Sequence, residues 1–325
     1  MKYIFSPEIA VRHLYLCQVI RFIFIAVIAQ ITYAQAQPGT PATAALPLDA
    51  TSRITFETAM RTRDYKQAET ILVNEINKNP NSPDAAKLLV QAAGIFFLDN
   101  DFMNTAIAYK KAEKIAPLDE RNRFTLAMAY LKLKKPDWAG PELAKLVKEF
   151  PQNALYLYWS ARLDYDAQKY SEAVVKLTKV IALDATMMRA YDNLGLCYEH
   201  LSDNEAAIKN YRQAIALNRQ QTSPSPWPQV NLALVLLGRN ELAEAETLLR
   251  EALNYDVKLP QAHYQLGVVL EKQNKYPEAI QSLNEAVKSD PNYPEPYYTL
   301  SRIYQKQGDK INAQKSLAAF QKFKK

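Results

Sequence analysis

Glycine is scarce in this chain, and its scarcity excludes several classes of protein. Only 7 of the 325 residues are glycine, against 20 tyrosines, and the sequence contains neither a phosphate-binding P-loop nor a G-x-S-x-G string. Those motifs need glycine where the backbone turns sharply or approaches a ligand closely. Long stretches rich in Ala, Leu, Lys and Glu favour helices instead. We therefore expect an all-α protein and not an α/β enzyme.

Cysteine and histidine are also rare. The chain has two cysteines, Cys17 and Cys197, and three histidines, of which His200 and His263 fall in the helical region. A zinc site needs three or four convergent ligands, and neither histidine has a Cys or carboxylate cluster at ligand spacing. We expect no metal site, no cofactor and no catalytic residue, and we interpret Cys197 as a buried structural thiol.

The amino terminus has the pattern of an export signal. Basic residues (Lys2, Arg12 and Arg21) precede an apolar run over residues 22–28, and small residues end at Ala36. This pattern predicts a signal peptide over residues 1–36, cleaved near Ala36, and a periplasmic or secreted protein. An uncleaved membrane anchor is the alternative, although the apolar run is far shorter than the ~20 residues that a span requires.

The charge balance is mildly basic. The formal charge of +6 falls to +4 if residues 1–36 are removed, which is too little for a typical nucleic-acid-binding protein. Residues 305–325 carry six lysines against one acid, Asp309. This segment is interpreted either as a solvated capping helix or as a site of weak contact with an anionic surface.

A Pro/Thr/Ala-rich linker is predicted over residues 37–48, and a single repeating pattern follows it. The clearest copy is Tyr191-x2-Leu194-Gly195-x2-Tyr198, followed by Ala207 and Tyr211. The same small-residue position recurs through the chain, mostly at steps of 34 residues. Its occupants are Ala68, Thr105, Ala139, Ala173, Ala207, Ala245, Ala279 and Ala313. This pattern resembles the helix–turn–helix unit of the tetratricopeptide repeat family.

The resemblance implies a right-handed α-solenoid of about eight helix–turn–helix repeats over residues 49–325. The repeats are expected to start near residues 49, 86, 120, 154, 188, 226, 260 and 294. Small residues such as Gly195 are expected to face the second helix, and Asn100, Asn240, Asn274 and Gly308 to be left-handed residues between the helices. Members of this family are scaffolds that hold peptides or proteins on a concave surface.

The resemblance also suggests which residues line that surface. Asn193, Asn231 and Gln265 occupy the same place in successive repeats, where amides can pair with the backbone of an extended peptide. Their side chains are expected to face the groove, so that alanine substitutions leave the fold intact. Aromatic residues at neighbouring places are expected to supply apolar pockets: Trp227, Tyr264, Tyr298, Tyr158 and Trp159.

The functional prediction is a non-catalytic exported scaffold that binds extended peptide segments or partner proteins. The alternative is a structural component of an envelope or secretion assembly that docks folded partners by its convex face or its ends.

Overall fold

A computed structural model describes residues 46–324 of the chain. The described residues form sixteen α-helices and no strand, so the protein has the expected all-α helical repeat fold. The predicted signal peptide and residues 37–45 of the predicted linker lie outside this range. The described chain divides into two compact units, of which unit 1 ends at Pro117 and unit 2 begins at Leu118.

Unit 1 contains two helix pairs. Its helices are α1 (Ala50–Thr62), α2 (Tyr65–Lys78), α3 (Pro83–Leu98) and α4 (Phe102–Ile115). The second pair begins at Pro83, three residues before its expected start near residue 86. Leu48, assigned to the linker, is buried in a core with Phe56 and Leu72. The folded part of unit 1 therefore includes the end of the predicted linker.

Unit 2 contains six helix pairs, which we number repeats 3 to 8. Its helices are α5 (Glu120–Lys132), α6 (Pro136–Glu149), α7 (Ala154–Asp166), α8 (Tyr170–Leu183), α9 (Met188–His200), α10 (Asn204–Asn218), α11 (Trp227–Gly238), α12 (Leu242–Tyr255), α13 (Pro260–Lys272), α14 (Tyr276–Ser289), α15 (Pro294–Lys306) and α16 (Lys310–Phe323). Odd-numbered helices are the first helices of the pairs, and even-numbered helices are the second. One core cluster extends from Leu196 on α9 to Ile303 on α15.

Every described helix pair turns through one left-handed residue. The expectation is confirmed for Asn100, Asn240, Asn274 and Gly308, whose φ angles are 62°, 63°, 61° and 77°. Less favourable residue types occupy the same place in the other pairs: Arg63, Lys134, Gln168 and Ser202. The turn brings the next N–H group back to a free carbonyl of the first helix, as Asp203 N–H does to the Tyr198 oxygen at 2.9 Å. This bond satisfies a helix-end carbonyl, which explains why the strained residue is retained.

The long step between repeats 5 and 6 is absorbed in the loop between α10 and α11. Asn218, which is buried at the end of α10, donates to the Ser225 carbonyl at 2.7 Å and accepts from the Ser225 N–H at 2.8 Å. The four extra residues are therefore held by one side chain at the base of the loop, and the pairing of α10 with α11 is preserved.

Candidate functional site

The first helices α7 to α15 of unit 2 form one continuous surface, which we call the first-helix face. Successive first helices contact one another from α7 through α15, whereas among the described helices no two successive second helices come equally close. Closer approach on one side requires unit 2 to curve toward that side. The first-helix face is therefore the inner side of unit 2, which is the side that helical repeat proteins generally use for binding.

Asn193, on α9, is buried in this face and is already bonded within the protein. Its side chain is only 5% exposed. Its Nδ2 donates to the Tyr158 hydroxyl at 2.8 Å, and its Oδ1 accepts from Arg162 Nη1 at 2.8 Å. Both partners lie on α7, so this amide joins repeats 4 and 5. Pairing of Asn193 with the backbone of a peptide, as expected from the sequence, would therefore require a ligand to replace one of these bonds.

Asn231 is placed similarly in the next repeat. It is 3% exposed, and its Nδ2 donates to Asp192 Oδ1 at 3.0 Å, which joins α11 to α9. Gln265, Tyr158 and Trp159 are buried as well, so five of the eight predicted groove residues have little free surface. The structure does bring Tyr158, Asn193 and Arg162 together, but as contacts between repeats.

The remaining three predicted groove residues do reach the surface. Tyr298 on α15 is 48% exposed, while Trp227 and Tyr264 are half-buried. The Tyr264 ring packs edge-on against Tyr293 with the ring centroids 5.4 Å apart, a favourable arrangement for two aromatic rings. The Tyr298 ring contacts Phe320 of α16 at a tilt of 45°, with the ring centroids 5.2 Å apart. Each of these two tyrosine rings is thus held by a neighbour while part of it faces solvent.

A charged cluster that the sequence did not indicate lies next to Tyr298. Glu271 on α13 is buried, and its carboxylate accepts from Arg302 Nε at 3.0 Å and from Lys306 Nζ at 2.9 Å, both on α15. Burial by itself would raise the pKa of Glu271, but the bonds from Arg302 and Lys306 outweigh it and hold that pKa below its usual value. The Arg302 guanidinium also lies over the Tyr298 ring, 6.0 Å from its centroid. One carboxylate faces two cations, so the cluster of Glu271, Arg302 and Lys306 carries a net positive charge.

His200 and Cys197 are packed among other side chains of unit 2. The Tyr165 hydroxyl lies 3.1 Å from His200 Nε2, and the His200 ring stacks on Tyr170 at 4.3 Å. Burial raises the pKa of the Cys197 thiol to about 12. Within residues 46–324, no group of three or more His, Cys, Asp or Glu side chains is arranged to hold a metal ion.

Comparison with known proteins identifies the repeat. Models of the tetratricopeptide repeat match residues 189–221, 230–294 and 294–323, all in unit 2. Residues 189–221 and 230–323 of the chain therefore carry tetratricopeptide repeats. No enzyme family is indicated by these matches. The sequence matches no curated protein.

Solved tetratricopeptide structures resemble the chain in fold at low sequence identity. A tetratricopeptide repeat protein from Parabacteroides merdae is 15% identical with a TM-score of 0.61, and the match covers 82% of this chain and 98% of that one. A chain of the APC/C hetero-tetramer Cut9–Hcn1 is 16% identical with a TM-score of 0.62, and the match covers 90% of this chain and 54% of that one. PilW, a type IV pilus biogenesis factor, is 15% identical with a TM-score of 0.56, over 62% and 92%. At these identities the likeness establishes the fold alone.

The part of the chain that the structure describes was also searched for membrane-spanning helices. Among residues 46–324, no helix combines the length and the apolar character that crossing a bilayer requires.

Proposed function

We propose that this tetratricopeptide protein is a non-catalytic scaffold that binds an extended peptide segment of a partner protein on the first-helix face of unit 2. The observation that carries the proposal is the row of accessible rings on three successive first helices. Trp227 lies on α11, Tyr264 on α13 and Tyr298 on α15, and Tyr298 is nearly half exposed. Aromatic rings held in place by neighbours are typical anchors of protein interfaces, because they bury a large area at a small entropic cost.

The surroundings of these rings suit an extended ligand. The three anchors follow one another from repeat 6 to repeat 8, so a ligand that contacts all of them must run along the array. Surplus positive charge from Arg302 and Lys306 lies beside the last ring. The rings therefore act as the main anchors. The floor of the groove is formed by five further residues: Asn193, Asn231, Gln265, Tyr158 and Trp159. Where ligand binding breaks the bonds that the three amides make within the protein, these amides bond to the backbone of the ligand instead.

We further propose that the protein works outside the cytoplasm after cleavage near Ala36. Support comes from the basic and apolar pattern of the first 36 residues. The resemblance in fold to PilW, a type IV pilus biogenesis factor, is compatible with a location outside the cytoplasm.

The alternative is a structural component of an envelope or secretion assembly, which would dock folded partners through the second helices or the ends of the array. An exposed ring on a second helix provides a matched test of the two. Trp138 on α6 is 49% exposed, close to the value for Tyr298. Its ring packs edge-on against Tyr130, and Lys135 Nζ lies 5.5 Å from its centroid.

The experiment compares Tyr298→Ala, Trp227→Ala and Trp138→Ala. A binding sequence is first selected from a displayed library of random peptides, and its Kd for each variant is then measured by fluorescence anisotropy. We expect Tyr298→Ala and Trp227→Ala each to weaken binding by about tenfold or more, since truncating an anchor costs about 2 kcal/mol. Trp138→Ala should leave the Kd unchanged.

Circular dichroism of each variant serves as the folding control. Loss of binding in Trp138→Ala alone would support docking through the second helices. A selection that yields no binding peptide at all would also contradict the proposed function.

A further inference from the structure

The last helix, α16, differs in charge from every other second helix of unit 2. It contains no acidic residue, whereas each of the others has at least one. Examples are Asp137 on α6, Glu172 on α8, Glu205 on α10, Glu244 on α12 and Glu278 on α14. The absence of acids means that nothing within α16 neutralises its lysines.

Ion pairs join α10 to α12 and α12 to α14, but in the described chain none joins α14 to α16. Arg212 on α10 pairs with Glu244 on α12 at 3.1 Å, and Arg250 on α12 pairs with Glu278 on α14 at 3.2 Å. The residue of α16 that corresponds to Glu278 is Asn312. None of the α16 lysines in the described chain lies within ion-pair distance of a carboxylate. These lysines are Lys310, Lys315, Lys322 and, at the helix cap, Lys324.

The outer side of α16 is not shaped to receive another repeat. At one position, the five second helices of unit 2 that precede α16 carry an apolar residue that is buried or half-buried. Its occupants are Val147, Ile181, Ile215, Leu253 and Val287. Val287 packs against the core of unit 2, as does Ile280 about two turns before it. The corresponding residues of α16 are Gln321 and Gln314, which are both exposed. Their polarity disfavours the close apolar packing that a further repeat or a second copy would need.

Ile311 is an exception on this polar surface. Its side chain is 81% exposed, and it begins a stripe with the 4, 3, 4 spacing of one helix face: Ile311, Lys315, Ala318 and Lys322. The two rings of α16 contribute little free surface, because Phe320 packs on Tyr298 and Phe323 stacks on Tyr297 at 5.6 Å. Ile311, Lys315 and Lys322 share one face of α16, whereas Lys310 and Lys324 lie at its two ends on other sides, and Lys324 Nζ is 5.4 Å from the centroid of the Phe320 ring. We call Lys310, Ile311, Lys315, Lys322 and Lys324 together the cationic cap. It extends over about 20 Å at 1.5 Å per residue.

We infer that the cationic cap binds the surface of an anionic lipid bilayer. Four lysines without carboxylate partners are attracted to a negatively charged headgroup layer. Ile311 lies among them and can enter the boundary between headgroups and acyl chains, as apolar residues of interfacial helices do. Nucleic acid fits less well, because the cap has no arginine fork and no accessible ring on which a base can stack.

The cap borders the peptide groove at Lys324, because the Phe320 ring under Lys324 Nζ also contacts Tyr298, whereas Ile311, Lys315 and Lys322 lie on another face of α16. A scaffold attached through α16 would keep the first-helix face available for a partner peptide. The inference does not depend on the proposed peptide binding, and either one can fail without the other.

Co-sedimentation with lipid vesicles tests the inference. The protein, purified as its host produces it, is mixed with vesicles of phosphatidylcholine alone or with about 30% phosphatidylglycerol at low salt, so that the headgroup layer is anionic. The cap variant carries Lys310→Gln, Lys315→Gln, Lys322→Gln and Lys324→Gln. The matched control carries the same loss of charge at four exposed lysines elsewhere in unit 2: Lys169→Gln, Lys179→Gln, Lys209→Gln and Lys258→Gln.

We expect the wild type and the control to bind anionic vesicles with similar affinity, and the cap variant to bind at least about 100-fold more weakly. Binding should also weaken as salt screens the lysines. Ile311→Ser should weaken binding about threefold or more without changing its salt dependence. Equal losses in the cap variant and the control would overturn the inference, as would wild-type binding to neutral vesicles alone. A cap variant that keeps vesicle binding but loses binding to a single-stranded RNA probe would assign the cap to nucleic acid instead.

Discussion

The ring of Tyr211 lies against the backbone of Gly195. A methyl group at Gly195 would sit 2.4 Å from Cε1 of that ring, well inside contact distance. The ring is fully buried, and its hydroxyl donates to Glu199 at 2.9 Å, so it has little freedom to move. Gly267 and Leu283 repeat the relationship two pairs later, at 2.6 Å. The glycines that the repeat pattern marked as small are therefore the points of closest approach between first and second helices.

Gly195→Ala should destabilise unit 2. The added methyl group has no space unless α9 and α10 separate, and overpacking of this kind costs about 1–3 kcal/mol or more. The free energy of unfolding from urea denaturation checks the prediction. Gly238→Ala is the control, because nothing lies within 4 Å of its added methyl group. Equal stability of Gly195→Ala and wild type would contradict the close packing of this helix pair.

Gln168→Gly should stabilise the protein. Gln168 has a φ of 61°, a left-handed conformation that costs a residue with a side chain roughly 1–2 kcal/mol. Glycine removes that cost, but its greater conformational freedom stabilises the unfolded chain. The net gain in the free energy of unfolding is expected to be about 0.5–1 kcal/mol. Thermal unfolding followed by circular dichroism measures it. Asn274→Gly should give a smaller gain, since asparagine tolerates this conformation better. The reverse order would show that side-chain contacts of Gln168, not its backbone, decide its contribution.

Glu251→Gln should lower stability in a manner that depends on pH. Hydrogen bonds from Arg219 hold the pKa of Glu251 at about 2, and bonds from Tyr255 and Gln229 add to this. A carboxylate with a lowered pKa stabilises the folded state above its unfolded pKa of about 4.5, and this contribution is lost as the pH falls toward 2. The difference in unfolding free energy between wild type and variant should be largest at about pH 6 and smaller at about pH 3.5. A difference that grows on acidification would contradict the assigned pKa.

Asn193→Ala and Asn231→Ala should each destabilise unit 2, contrary to the expectation from sequence. The first leaves the Tyr158 hydroxyl and Arg162 Nη1 without the bonds that Asn193 makes to them, and the second removes the bond that joins Asn231 to Asp192 Oδ1. A buried polar group left unpaired costs about 1–3 kcal/mol. Asn254→Ala, at an exposed position of α12, is the control for urea denaturation. If both buried variants unfold as the control does, water must replace the lost bonds, and these amides remain suitable for groove mutagenesis.

Cys197 should be unreactive until the protein unfolds. With a thiol pKa near 12, the reactive thiolate at about pH 8 is roughly a thousandfold scarcer than for an ordinary cysteine, and the side chain is fully buried. Alkylation by iodoacetamide, followed by mass spectrometry of the Cys197 peptide, should show modification in concentrated urea and almost none in buffer. Rapid labelling of the native protein would show that α9 opens locally.

Sequence alone determined the repeat and the chemistry of its turns. A period of 34 residues, small residues such as Gly195 and Ala279, and Asn or Gly at the turns are local features that recur in copy after copy. Each copy meets the same steric demands, so the pattern by itself indicates all-α helix pairs, left-handed turns and close helix contacts.

Tertiary structure decided which side chains are free. Asn193 and Asn231 occupy places that the family resemblance assigned to a ligand, yet they bond to residues 31–39 positions away in a neighbouring repeat. The Glu271, Arg302 and Lys306 cluster likewise spans two repeats, with partners 31 and 35 residues apart. Such pairs depend on how two repeats are rotated against each other and on the rotamers that their packing permits. The sequence pattern of a single repeat specifies neither the rotation between repeats nor these rotamers. The accessible part of the groove is therefore defined only by the stacked repeats.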